Sequence, residues 1–193
     1  CDSRQQPPHL EQWQAFTDSQ LLLADWSTLD MCQYQRILLS PGVALATPEI
    51  QAAIAAGVEV SSDVQVFADA VKKPFIAITG SNGKSTVTSL VAGLLQATGA
   101  SARAVGNIGI PVLEALLESD QPDWYVVELS SFQLETCHQL SSRAAVLLNL
   151  SPDHLDRYPD MAAYAAAKQR IFVRTNKAVV NFDAPPSQPN SKF

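Results

Sequence analysis

Short apolar runs alternate with longer amphipathic stretches along most of the chain. Phe75–Thr79, Ala102–Val105, Trp124–Glu128, Ala144–Asn149 and Lys177–Asn181 read as strands, with helices predicted near 85–98, 111–119, 133–140 and 161–173. In the first of these helices Val87, Leu90, Val91, Leu94 and Leu95 recur at helical spacing and predict a single apolar face. Strands alternating with helices of this length imply a mostly parallel sheet covered on both faces. An earlier segment repeats the pattern more weakly. Ile37–Ser40 is a strand ended by Pro41 and Gly42, and Thr47 and Pro48 open a helix that Gly57 stops. Val58–Val60 is a second strand and Asp63–Val71 a second helix. Lys72-Lys73-Pro74 marks the expected boundary, giving domains 1–71 and 72–193. The fold class is α/β, with a Rossmann-like N-terminal part and a central parallel-sheet domain carrying a phosphate loop.

Composition narrows the field. Of 193 residues, 47% are hydrophobic and 17% charged, a globular balance with material for a core. The net charge of −6 excludes the electrostatic footprint of a nucleic-acid binder, so any bound phosphate must be held locally. No apolar run approaches the ~18 residues of a membrane span. Cys1, Cys32 and Cys137 have no metal-ligand or redox spacing, which fits a reducing, cytoplasmic setting. The chain opens on a polar loop without methionine and closes in a Pro/Ser/Asn stretch, and both ends read as cut.

The distinctive polar clusters fall at strand ends, where open parallel sheets bind ligands. TGSNGKST, residues 79–86, lies between a strand and a helix. Its glycines allow a tight turn whose N–H groups can face phosphate oxygens. The helix N-terminus adds its dipole, Lys84 a charge, and Ser85 a hydroxyl within reach of Mg²⁺. Gly80, Ser81, Asn82, Gly83, Lys84, Ser85 and Thr86 are therefore the candidate phosphate-binding residues. The spacing is shorter than the usual phosphate-loop pattern, since only Ser81 and Asn82 separate Gly80 from Gly83. GNIG, residues 106–109, follows the next strand and offers Asn107 as a ligand contact. In ELSSFQLE, residues 128–135, Glu128 ends an apolar strand, where a carboxylate needs a cation or a hydrogen-bond partner. It is either half of an ion pair or a Mg²⁺ ligand. In NLSPDHLDRY, residues 149–158, His154 lies between Asp153 and Asp156 and is a candidate for metal or substrate. Lys168 shares a helix face with Tyr164, Ala165, Ile171 and Phe172. It either snorkels to solvent or is desolvated with a lowered pKa, in which case its neutral amine can take up CO₂ as a carbamate.

Taken in order, TGSNGKST, GNIG, ELSSFQLE, NLSPDHLDRY and AAYAAAKQRIF resemble the Mur ligases of peptidoglycan synthesis over nearly the whole chain. The resemblance implies that ATP binds at Gly80–Thr86 and that Glu128 holds the Mg²⁺ bridging its phosphates. It further implies that His154 and a carbamylated Lys168 serve a second Mg²⁺, with Lys84, His154 and Lys168 as the catalytic set. Asp2, Ser3 and Arg4 would grip the uridine end of a nucleotide-sugar substrate, with Ser40, Pro41 and Gly42 alongside. Asn107 would meet the muramoyl part, and His154 would also touch substrate. The ELSSFQLE run resembles the branch of the family that adds D-glutamate to UDP-N-acetylmuramoyl-L-alanine, an ADP-forming peptide synthesis through an acyl phosphate. A monomer without nucleic-acid partners is implied. The opening strand and Gly-rich turn expected before CDSR, and a C-terminal domain for the incoming amino acid, are missing from this sequence, so turnover by the 193 residues alone is not expected. Folylpolyglutamate synthetase is the competing enzyme resemblance, against which Asp2-Ser3-Arg4 and ELSSFQLE both argue. A nucleotide-binding module that never ligates is the competing non-enzyme.

Overall fold

In the computed structural model, which describes residues 1–13, 18–23, 25–184 and 187, the chain forms two compact units. The first, Cys1–Ile37 with Leu45–Glu59, contains α1 (Leu10–Trp13), all but the last residue of β1 (Arg36–Leu38), α2 (Pro48–Ala55) and the start of β2 (Glu59–Ser61). Two 3-10 turns precede β1, each opened by an aspartate. Asp25 accepts from the Ser27 N–H and Asp30 from the Cys32 N–H, both at 3.0 Å. Pro48 begins α2, where a missing N–H costs nothing, and Gly57, with φ of 87°, lets the chain turn away. Met31, Ala53 and Val58 form its small core, backed by Trp26, Leu29 and Ile37.

The second unit, Leu38–Ala44 with Val60–Phe193, begins with α3 (Asp63–Ala70). It continues through β3 (Phe75–Thr79), α4 (Lys84–Ala97), β4 (Ala102–Gly106), α5 (Val112–Leu117) and β5 (Trp124–Glu128). After these come α6 (Ser131–Glu135), β6 (Ala144–Leu147), α7 (Met161–Gln169) and β7 (Ala178–Val179). The strands form one parallel sheet in the order β4-β5-β3-β6-β7. Period-two alternation sorts its faces. Phe75, Ala77, Tyr125, Val127, Ala145 and Leu147 join a large core with α3 and α5, whereas Ile78 and Val126 join Ala92 of α4 on the other face. The chain runs from central β3 out to β4, back to β5, then across to β6. That reversal makes the carboxyl end of β3 the switch point of the sheet.

Several boundaries differ from the sequence expectation. The helix Asp63–Ala70 packs into the second core, so the compact units do not divide at 71/72. On α4, Leu90 and Leu94 are 58% and 59% exposed, while Val87, Val91, Leu95 and the buried Thr88 and Ala92 face the sheet. Small side chains let the helix approach the sheet on that side, which rotates the apolar stripe away from the one the leucines suggest. The helix expected at 133–140 starts earlier, because Ser130 and Gln133 form a reciprocal capping box that fixes its first turn at Ser131. Strand β6 stops at Leu147 rather than Asn149, and β7 holds only Ala178 and Val179.

Phe67 is fully buried, with its ring centroid 5.5 Å from both Phe75 and Tyr125 in edge-on geometry. Phe67→Ala should lower the unfolding free energy by about 3–5 kcal/mol, read from urea denaturation. A loss under about 1 kcal/mol would mean that α3 does not belong to this core.

Candidate functional site

The site assembles where the β3–α4 turn meets the segments that follow β5 and β6. Gly83 takes a left-handed φ of 78° just before α4, a conformation that a side chain would strain. The turn is fastened to the end of β6. Ser81 N–H donates to the Asn149 carbonyl at 3.1 Å, Asn82 N–H donates to Asn149 Oδ1 at 2.9 Å, and Asn149 Nδ2 returns a bond to the Asn82 carbonyl at 3.0 Å. Ser81 Oγ donates to the Ser151 carbonyl at 3.1 Å, accepts from the Ser151 N–H at 3.0 Å, and lies 3.1 Å from Tyr164 OH. The loop thus divides by role. Ser81 and Asn82 spend their amides on its shape, while the first turn of α4 leaves the N–H groups of Lys84, Ser85 and Thr86 without intrahelical acceptors. Lys84 folds back over the turn, Nζ donating to the Ser81 carbonyl at 3.1 Å.

Glu128, in register with Ile78 of β3 and Gly106 of β4, is 1% exposed. Its Oε1 accepts from Asn107 Nδ2 at 2.9 Å, and its carbonyl accepts from the Asn107 N–H at 2.9 Å. The approach is close because residue 106 is glycine. With φ of 103°, any Cβ there would collide with the Glu128 carbonyl oxygen. Oε2 of Glu128 is buried with no hydrogen-bond partner, which for a carboxylate calls for a cation.

Lys168 is 2% exposed, so the snorkelling alternative does not hold. Its Nζ donates to the Gly80 carbonyl at 2.9 Å and to Thr79 Oγ1 at 3.4 Å, and stands 4.9 Å from the centre of the Tyr164 ring. Burial pushes its pKa down to about 7, aided by the charge of Lys84 and opposed by that of Asp153. His154 adopts a left-handed φ of 52° and stays part-exposed, its ring 4.7 Å from that of Phe132 and its Nε2 3.4 Å from Asp153 Oδ2.

The other residues singled out in the sequence divide between the units. In the first, Arg4 donates to Asp2 through its backbone N–H and Nε at 2.9 Å each and Nη2 at 2.6 Å, which holds the Asp2 carboxyl well below the usual range. Ser3 lies between them, exposed. In the second, Ser40 and Gly42 are exposed in a turn closed by the Val43 N–H on the Ser40 carbonyl at 2.9 Å. Sequence reasoning passed over Asn149, Ser151 and Arg157 as individual residues, and named Thr79 only as a strand end and Tyr164 only as a neighbour of Lys168 on its helix face. All but Thr79 and Tyr164 belong to the NLSPDHLDRY run, whose density of polar side chains after an apolar strand was the available signal. Cys137 is buried with its thiol pushed up to about 12, which makes it unreactive. Among the described residues no three His, Cys, Asp or Glu side chains converge, so a metal here would also draw ligands from other groups.

A lysine-bearing turn before a helix, at the switch point of a parallel sheet, is an arrangement with which α/β proteins hold phosphate groups. Residues 78–191 match the family model of the Mur ligase middle domain, and residues 1–62 that of the Mur ligase MurD-like N-terminal domain. The chain belongs to the Mur ligase family. It is 49% identical over 94% of its length to the UDP-N-acetylmuramoylalanine--D-glutamate ligase of Nitrosococcus oceani, and 50% identical over 97% to that of Vibrio parahaemolyticus. It spans 40% and 42% of those relatives. In fold it is similar to the UDP-N-acetylmuramate:L-alanyl-gamma-D-glutamyl-meso-diaminopimelate ligase of Neisseria meningitides, with a TM-score of 0.55 at 19% identity, covering 96% of this chain and 64% of that one. A pseudomurein peptide ligase type C of Methanothermus fervidus matches 96% of this chain and 39% of its own, with a TM-score of 0.51 at 21% identity.

The lowered pKa of Lys168 sets a pH dependence of stability. Between about 7, its folded value, and 10.5, its ordinary one, the unfolded chain binds the extra proton. Stability contributed by this group therefore rises with pH across that window, and below it the full cost of burying the charge is present. Compared with Lys168→Met, the wild-type chain should gain stability from pH 7 towards 9 at up to about 1.4 kcal/mol per pH unit. Parallel stability curves for the two proteins would show that Lys168 keeps an ordinary pKa.

Proposed function

We propose that the whole protein joins D-glutamate to UDP-N-acetylmuramoyl-L-alanine, using ATP and passing through an acyl phosphate, in the cytoplasmic stage of peptidoglycan synthesis. The names of the relatives support this reading, and so does one observation above all. A buried Glu128 oxygen without a partner ends a strand in register with the one that feeds the phosphate-holding turn. In this reading the first compact unit serves the nucleotide-sugar substrate, and the second, which takes in 38–44 and 60–71 as well as the residues from 72 onward, holds ATP. The protein acts as a monomer.

The phosphates of ATP lie against the start of α4 at Gly83–Thr86, with Lys84 released from the Ser81 carbonyl to meet the γ-phosphate. Gly80, Ser81 and Asn82 hold that turn in shape. A substrate carboxylate oxygen bonds to the γ-phosphorus as the bond to the bridging oxygen breaks, and ADP departs with that oxygen. The amine of D-glutamate then adds to the acyl carbon, and the tetrahedral intermediate expels phosphate. Mg²⁺, when bound, supplies positive charge that screens the repulsion between carboxylate and phosphate, and Ser85, Glu128, His154 and a carbamylated Lys168 are the residues that would hold it. Asn107 keeps Glu128 aimed and is assigned a contact to the muramoyl part. Asp2, Ser3 and Arg4, and Ser40 and Gly42, are assigned to the uridine end.

In the full-length protein, Lys84→Ala should cut D-glutamate-dependent ADP release by about a hundredfold or more, since one charge-assisted contact at the transferring group is worth on the order of 3 kcal/mol. Glu128→Gln should abolish the same step while binding of UDP-N-acetylmuramoyl-L-alanine, followed by calorimetry, persists. Near-normal turnover in Lys84→Ala would sink the assignment of the loop. Loss of both binding and chemistry in Glu128→Gln would make that carboxylate structural.

The carbamate follows from the same burial. A neutral Lys168 amine adds to the carbon of CO₂ and releases a proton, leaving an anionic carbamate where a cation would repel Mg²⁺. Activity should therefore rise with bicarbonate, and Lys168→Ala should recover part of it with added acetate. Indifference to both would rule the modification out.

A further inference from the structure

We propose that Arg157 is a positioning residue that pins the turn at residues 40–43 and the His154 loop into one register. The proposal rests on the reading above that His154 works at this site. The Arg157 side chain is only 15% exposed, and both of its terminal nitrogens are engaged. Nη1 donates to the Pro41 carbonyl at 3.0 Å, while Nη2 donates to the Val43 carbonyl at 2.9 Å and to Glu135 Oε2 at 3.2 Å. The guanidinium carbon also stands 4.3 Å from the centre of the Phe132 ring, and that ring lies 4.7 Å from the His154 ring. One planar cation thus touches a turn more than a hundred residues away in sequence, the Glu135 carboxylate of α6, and the Phe132 ring of α6 that packs on His154.

The backbone closes the circuit. The N–H groups of Arg157 and Tyr158 both donate to the His154 carbonyl at 3.0 Å, so the arginine anchors the far end of the turn that carries His154. His154 has φ of 52°, a conformation unfavourable for a residue with a Cβ, which persists only where its surroundings enforce it. A guanidinium presents several N–H donors in a rigid plane and can serve two carbonyls and a carboxylate together. A lysine ammonium at the same place cannot match that fork. The charge of Arg157 is balanced by Glu135, so the pair adds no net charge to the site.

The test uses the full-length protein with Arg157→Lys, which keeps the charge and loses the fork. Hydrogen exchange should accelerate together in segments 38–44 and 152–158 and stay unchanged in 79–86. The KM for ATP should hold, while kcat/KM for UDP-N-acetylmuramoyl-L-alanine falls roughly tenfold or more, as expected for displaced positioning groups. Adding His154→Ala should give a double variant no slower than the slower single one. Faster exchange spread evenly over the second unit, or unchanged kcat/KM, would overturn the proposal. Should the wild-type protein lack ligase activity, the functional reading fails by itself, and the joint exchange of the two segments still decides whether Arg157 pins them.

Discussion

A single buried hydroxyl holds the turn between β3 and α4 in place. Ser81 Oγ uses its one proton on the Ser151 carbonyl and its lone pairs on the Ser151 N–H and Tyr164 OH, so no hydrogen-bonding capacity remains. Parallel strands make this possible, because β3 and β6 are neighbours and their following loops emerge side by side. The amide of Asn149 completes the clamp from the same side. With its shape fixed by partners outside itself, the turn can be short, which accounts for a spacing tighter than the common phosphate loop.

Charge is distributed around this clamp with little help from the rest of the molecule, whose net charge is −6. Lys84 and Lys168 are brought to one short turn, the first on the Ser81 carbonyl and the second on that of Gly80. The burial of Lys168, and secondarily its repulsion by Lys84, favour its neutral form. Glu128 carries the opposite imbalance, with one oxygen held by Asn107 and the other unmatched. A buried amine inclined to lose its proton and a buried carboxylate oxygen without a hydrogen-bond partner are costly for stability, and such costs are typical of sites kept for chemistry.

The surrounding architecture aims these groups. Gly106 allows Asn107 to reach Glu128 because only a residue without Cβ can pass the Glu128 carbonyl. The capping box of α6 sets where Phe132 and Glu135 fall, and both meet the Arg157 side chain. In each case a local rule of backbone geometry decides which distant side chain can be met.

The sequence by itself determined the class of fold, the strands Phe75–Thr79 and Trp124–Glu128 to the residue, and the turn at Gly80–Gly83. These depend on period-two apolar runs and on glycine and lysine at a strand–helix junction, which are local properties. Family membership was legible for a related reason, since the polar runs at the strand ends stand in a distinctive order. Only the tertiary structure decided which strands are neighbours, and hence that Asn149 and Ser151 would clamp the turn from 67 to 70 residues away. It alone placed α3 in the second core, turned Leu90 and Leu94 of α4 to solvent, and buried Lys168 rather than letting it snorkel. Burial and partner choice depend on what the rest of the chain brings to a position, and no window of sequence contains that information.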